Sequence, residues 1–153
     1  MVSPLQPREF FSGTWNGEGE LVPYSILRLV VPKEHIRFSS QPIWLSDTVW
    51  MVKESFQFSS GRLLSRTMFV EIIGPTRLHV TADDMPGGAN IILLENGFRF
   101  TSYYVWAEHR GIRWELKCSD ENTIDQSGTI HDTIKMSFYG IPVATMYLRV
   151  SRT

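Results

Sequence analysis

A single cysteine, Cys118, rules out an internal disulfide and any thiolate-rich metal site. A charge excess of one sign is also missing. Lysine and arginine number 15 against 16 acids, the formal net charge is −1, and no basic run interrupts the chain. That balance argues against nucleic acid and anionic membrane as partners. No apolar stretch approaches the roughly 20 residues needed to span a bilayer. Residues 1–9 lack the basic start and apolar run of a signal peptide. The expectation is therefore a cytoplasmic protein, although a mature secreted chain would read the same way.

Catalytic and cofactor signatures are missing too. There is no phosphate loop, no dinucleotide fingerprint and no Gly-x-Ser-x-Gly elbow. The adjacent acids Asp83 and Asp84 lack the further oxygen ligands that calcium requires, so they read as a solvated turn. Neither a metal nor a cofactor is expected.

What is present is β-structure. The 153 residues carry 42% hydrophobic and 20% charged residues, ordinary for one globular domain, here residues 1–153. Short alternating runs are separated by turn signals, and no amphipathic helix is longer than about three turns. One short turn of helix fits residues 7–11. Strands are expected over 13–22, 24–31, 35–40, 48–58, 62–73, 76–82, 89–95 and 98–107. A further hairpin turns at His109-Arg110-Gly111 and runs to Cys118, and the last strands are 128–138 and 143–150. Residues 83–88 and the polar stretch 119–127 read as loops. Asn96-Gly97 is the strongest hairpin signal. About ten strands in sequential hairpins predict an all-β, up-and-down antiparallel β-barrel, which leaves no open edge. A two-sheet sandwich is the rival, but it requires longer crossing connections.

Hairpin arithmetic gives the barrel an inside. A three-residue loop at Ser59-Ser60-Gly61 sets Glu54 opposite Arg66 and Phe56 opposite Leu64. One face then carries Trp50, Val52, Glu54, Phe56 and Phe58, while Lys53 and Gln57 lie on the other. Glu54 and Arg66 form a cross-strand ion pair, since a lone buried charge is costly. A three-residue loop at His109-Arg110-Gly111 sets Trp106 opposite Trp114 and points Phe98, Phe100, Ser102 and Tyr104 inward. Asp132 stands on an apolar face beside Ile130 and Ile134, and needs either a partner or a raised pKa.

The first strand also carries a family likeness. Gly13-x-Trp15 resembles the signature of the lipocalins and the wider calycin superfamily. That resemblance implies a barrel closed at one end by the tryptophan, packed on a late basic residue, for which Arg149 is suitably placed. The glycines that follow let the strand bend. The longer form, Gly13-x-Trp15-x-Gly17-x-Gly19-Glu20, resembles the nitrobindins, which are haem-binding barrels. Their late histidine has no counterpart in residues 144–149, so haem is not expected. The chain is also similar to a bacterial lipocalin-like family of unknown function, through Phe11-x-Gly13-x-Trp15-x-Gly17, residues 54–58 with Gly61 and Arg66, and residues 136–140.

Two functions stay open. The first is binding of a small, largely apolar molecule with one polar or acidic group near Arg66, by Trp50, Glu54, Phe56, Arg66, Tyr104, Trp106, Trp114 and Asp132. The second is a cofactor-free enzyme of isomerase or cyclase type, with Glu54 or Asp132 as acid or base. A filled interior would leave a purely structural protein. Whether the chain pairs as a homodimer is equally open.

Overall fold

The structure, a computed structural model, describes residues 5–29 and 32–153. A four-residue helix, α1 (Pro7–Phe10), precedes ten strands. These are β1 (Trp15–Pro23), β2 (Glu34–Trp44), β3 (Val49–Phe58), β4 (Leu63–Gly74) and β5 (Arg77–Ala82). They continue as β6 (Met85–Leu94), β7 (Gly97–His109), β8 (Ile112–Ile124), β9 (Ile130–Phe138) and β10 (Ile141–Arg152). Every strand pairs antiparallel with its sequence neighbours, and β1 closes the circle on β10. The fold is the expected up-and-down barrel.

β1 and β10 approach closely where the barrel closes. The inner face of β1 reads Trp15, Gly17, Gly19, Leu21. A Cβ on Gly19 would lie 1.7 Å from the Tyr147 carbonyl oxygen of β10. Only hydrogen fits there, which explains the glycines of the first-strand motif.

Of the strand expected over 24–31, the described residues 24–29 form no strand. After Pro23 the chain turns into a 3-10 helix, Ser25–Leu29, with the Leu27 N–H donating to the Tyr24 carbonyl. Val30 and Val31, the last residues of that expectation, lie outside the described residues. β2 is longer than expected and contains Pro42. Pairing with β1 stops at Ser40, so proline costs no ladder bond there.

Three corrections fall on β6 to β8. β6 starts at Met85, with Gly87 and Gly88 at positive φ within it, so the expected 83–88 loop shrinks to a two-residue turn. The β7–β8 turn has two residues, Arg110 and Gly111, at φ 52° and 74°, and His109 pairs with Ile112. A two-residue turn with both residues at positive φ matches the twist of the strands better than the expected three-residue loop. Finally, 119–124 is not loop. β8 continues through it to Ile124, paired with β9.

One end of the barrel is sealed. Phe11 of the segment after α1 stacks on Trp50 at 5.6 Å between ring centroids, and Phe10 lies 5.2 Å from Trp15. The basic cap on Trp15 is Arg152, whose guanidinium sits 4.9 Å from the ring and donates to the Phe10 and Glu9 carbonyls. The expected Arg149 is exposed. Leu148 and Val150 point inward, so strand alternation puts Arg149 outside. At the opposite end, Val105, Trp114, Leu116, Met136 and Phe138 face inward yet remain half-buried. That end is the mouth.

Candidate functional site

The β3–β4 register places Glu54 opposite Arg66, with the Ser59-Ser60-Gly61 turn as expected. The Arg66 Nη2 and Nε groups donate to Glu54 Oε2 at 2.8 and 3.2 Å. A second acid, Asp84 in the β5–β6 turn, approaches Arg66 Nη1 at 3.6 Å. The side chains of Arg66 and Glu54 are 18% and 12% exposed, so the pair is largely removed from water. Burial works against the guanidinium charge, but Glu54, Asp84 and Tyr103 outweigh it and hold the pKa above its ordinary value. An acidic ligand group near Arg66 would find that cation already taken.

Across the barrel, β8 and β9 contribute a second polar cluster. Asn122 donates to Asp120 Oδ1 at 2.7 Å, and the Tyr103 hydroxyl reaches Asp120 Oδ2 at 3.4 Å. Asp132 stands opposite Asn122 and shares a hydrogen bond with Asp120. Its Oδ1 is buried without a partner. Burial pushes the Asp132 pKa well above the usual carboxylate range, and the neighbouring Asp120 adds to this. Burial also raises Asp120, against the hydrogen bonds from Asp132 and Asn122. Burial thus favours the protonated form at both carboxyls, and the two titrate together. Burial likewise pushes the Cys118 thiol up to about 12, which leaves it unreactive.

Between the clusters lies a cavity of about 120 Å³. Its walls include Trp15, Trp50, Phe56, Phe98 and Leu148, with Ser40, Glu54, Arg66, Asp120, Asn122 and Asp132 as polar residues and the Trp15 indole N–H buried without a partner. The volume matches about four waters, well under the several hundred Å³ of a drug-sized site.

Of the eight expected site residues, Trp50, Glu54, Phe56, Arg66 and Asp132 line this cavity. Trp114 points inward but sits nearer the mouth, edge-on to Phe138 at 5.0 Å. Tyr104 and Trp106 do not belong to the interior. A bulge at Thr101-Ser102 flips the face of β7, and Ser102 is exposed with Tyr104. Trp106 pairs with Glu115 rather than Trp114, and Arg113 covers its outer ring at 4.6 Å. Tyr103 takes the inward place instead and is 5% exposed. The sequence reading also missed Asp84, Asp120 and Asn122. Their signal was the continued alternation Leu116, Cys118, Asp120, Asn122, Ile124, hidden because those acids and amides disfavour strands.

A larger groove, about 940 Å³, runs over the outer wall of β7 to β10 beside the 3-10 helix. Tyr104, Lys117, Lys135 and Tyr147 line it. It opens to solvent, and among the described residues no unpartnered buried side-chain atom faces it. Among those residues, too, no cluster of three or more His, Cys, Asp or Glu is arranged to hold a metal ion, and no helix is long and apolar enough to cross a membrane.

Strand order, first-strand motif and sealed end define a lipocalin-like barrel with a buried polar centre. The chain belongs to the family described as a protein of unknown function, DUF3833, which matches residues 2–152. No curated protein matches it in sequence. Several solved structures share the architecture. A DUF3598-family protein of unknown function from Nostoc punctiforme aligns over 99% of this chain at 15% identity with a TM-score of 0.65. This chain spans about half, 51%, of that protein's length. The S-type phycobiliprotein lyase CPES from Guillardia theta aligns over 97% of this chain and 93% of its own, at 8% identity and a TM-score of 0.64. Rv2717c from M. tuberculosis aligns over 97% and 96%, at 11% identity and a TM-score of 0.59. At such identities the likeness is one of fold.

Proposed function

We propose that this barrel binds a small, largely apolar molecule bearing one polar group, held in the central cavity. The observation that carries the reading is the cavity wall itself. Rings and aliphatic side chains surround a space into which one buried carboxyl oxygen, Asp132 Oδ1, points without a partner. A few placed polar groups within an apolar lining are the general pattern of a small-molecule site. An unsatisfied buried acceptor is costly, and a ligand donor there removes that cost. The volume favours a ligand of a few non-hydrogen atoms. A longer one extends toward the mouth, between Leu116, Met136 and Phe138. A barrel of this fold serves as a phycobiliprotein lyase in Guillardia theta, which agrees with an interior put to chemical use.

Native mass spectrometry of the purified protein tests the reading. A bound small molecule that is lost in Trp50→Ala but kept in Trp106→Ala supports it. A ligand lost in Trp106→Ala and kept in Trp50→Ala removes the interior from consideration.

A second reading rests on the Asp120–Asp132 pair. Two adjacent buried carboxyls with raised pKa values suit acid–base work on a bound substrate. Turnover of the bound compound, abolished by Asp132→Asn with affinity unchanged, would favour it.

A further inference from the structure

The charge inventory of the interior says which polar group the ligand carries. Four acids, Glu54, Asp84, Asp120 and Asp132, come from β3, the β5–β6 turn, β8 and β9. One base, Arg66 of β4, stands among them and is engaged by both Glu54 and Asp84. The remaining neighbours of Asp132 are the Asn122 amide, one of whose N–H groups donates to Asp120, and the Tyr103 hydroxyl, which also turns to Asp120. Facing it from β10 is Leu148, which offers no charge. Asp132 Oδ1 therefore has acceptor capacity and no protein donor to fill it. Asp84 Oδ1 is likewise buried without a partner, and the donors at the cavity wall outside the acid clusters are neutral, the Trp15 indole N–H and the Ser40 hydroxyl.

We infer that the ligand is a small organic cation, a protonated amine or amidine, whose N–H groups donate to Asp132 while its alkyl part lies against Trp50, Phe56 and Phe98. This rests on the interior-binding reading and reverses the expectation of an acidic group at Arg66. A cation supplies both things the site lacks, a donor for Oδ1 and positive charge among the acids. It also displaces a proton. Burial favours the neutral form of Asp132 in the empty barrel, and a cation favours the ionised form. Glu54 and Asp120 oppose that ionisation and Arg66 assists it. Binding is thus coupled to release of a proton, and affinity grows as pH rises.

Three probes of one shape separate the alternatives: n-butylammonium, 1-butanol and butyrate, at matched ionic strength. Thermal shift and calorimetry at pH 5 to 8 read the result. The expectation is at least tenfold tighter binding of butylammonium than of butanol, and weaker binding of butyrate. The ammonium affinity rises with pH by up to about tenfold per pH unit. Asp132→Asn removes that pH dependence and most of the preference for the cation. Arg66→Met, if it folds, leaves the preference in place. Tighter binding of butyrate, lost in Arg66→Met, overturns the cation but leaves interior binding standing. Equal binding of all three, or an ammonium effect untouched by Asp132→Asn, also overturns it. Should no probe bind while native mass spectrometry finds a neutral or acidic guest, the cation inference falls alone. Should neither experiment find a guest, both readings fall.

Discussion

Asp132 is held opposite Asn122 with one oxygen unpartnered, and its proton belongs to the folded state. Its ordinary value is 3.8, and burial raises it in the fold. Below about pH 4 the group is neutral both folded and unfolded, so its contribution to stability is fully present. As pH rises, the unfolded chain releases the proton while the fold retains it, and stability falls until pH passes the folded value. Asp120 shifts in the same direction. Asp132→Asn removes the cost of a buried acid and supplies an amide donor toward Asp120. Urea denaturation of the two proteins at pH 5, 7 and 8.5 should show the variant more stable by about 1–3 kcal/mol at the higher pH values, with a flatter profile. A variant less stable at every pH would mean that the carboxyl is ionised and satisfied.

At the scale of the element, β3 and β4 were legible because hydrophobic alternation, a three-residue turn and a complementary ion pair agreed on one register. Trp50, Phe56 and Val52 are buried, and Lys53 and Gln57 are exposed, as that register requires. In β7 the same signals failed. Rings occupy both faces, with Tyr103 beside Tyr104 and Val105 beside Trp106, so polarity does not separate inside from outside. A one-residue error in turn length, together with a bulge, then moves each side chain to the other face. In β8 the inward residues are acids and amides, which read as loop until the acids across the barrel are seen. The site was therefore half legible: its apolar wall and one ion pair were, its second polar cluster was not. The corrected register has a measurable outcome. Trp50→Ala should cost about 3–5 kcal/mol, as a large core side chain does. Trp106→Ala, which loses an outer stacking partner of Arg113, should cost under about 1 kcal/mol. Comparable losses at both positions in thermal denaturation would restore the original facing of β7.

For the whole molecule, the two ends of the barrel differ in kind. Phe10, Phe11 and Arg152 seal one end over Trp15 and Trp50, while the inner faces of β7, β8 and β9 stay half-buried at the other. The difference reaches local opening, since backbone amides are protected by the packing around them. Hydrogen exchange should be slow in β1, β3 and β10 near the sealed end and fast in residues 107–114 at the mouth. A guest settling in the centre should slow the mouth amides most, because the hairpins that admit it must close behind it. Among the described residues the mouth is the open end, so water leaving the cavity and a molecule arriving there share one passage. The rate at which a guest enters is then limited by how often those hairpins part, while the rate at which it leaves also depends on how tightly the centre holds it.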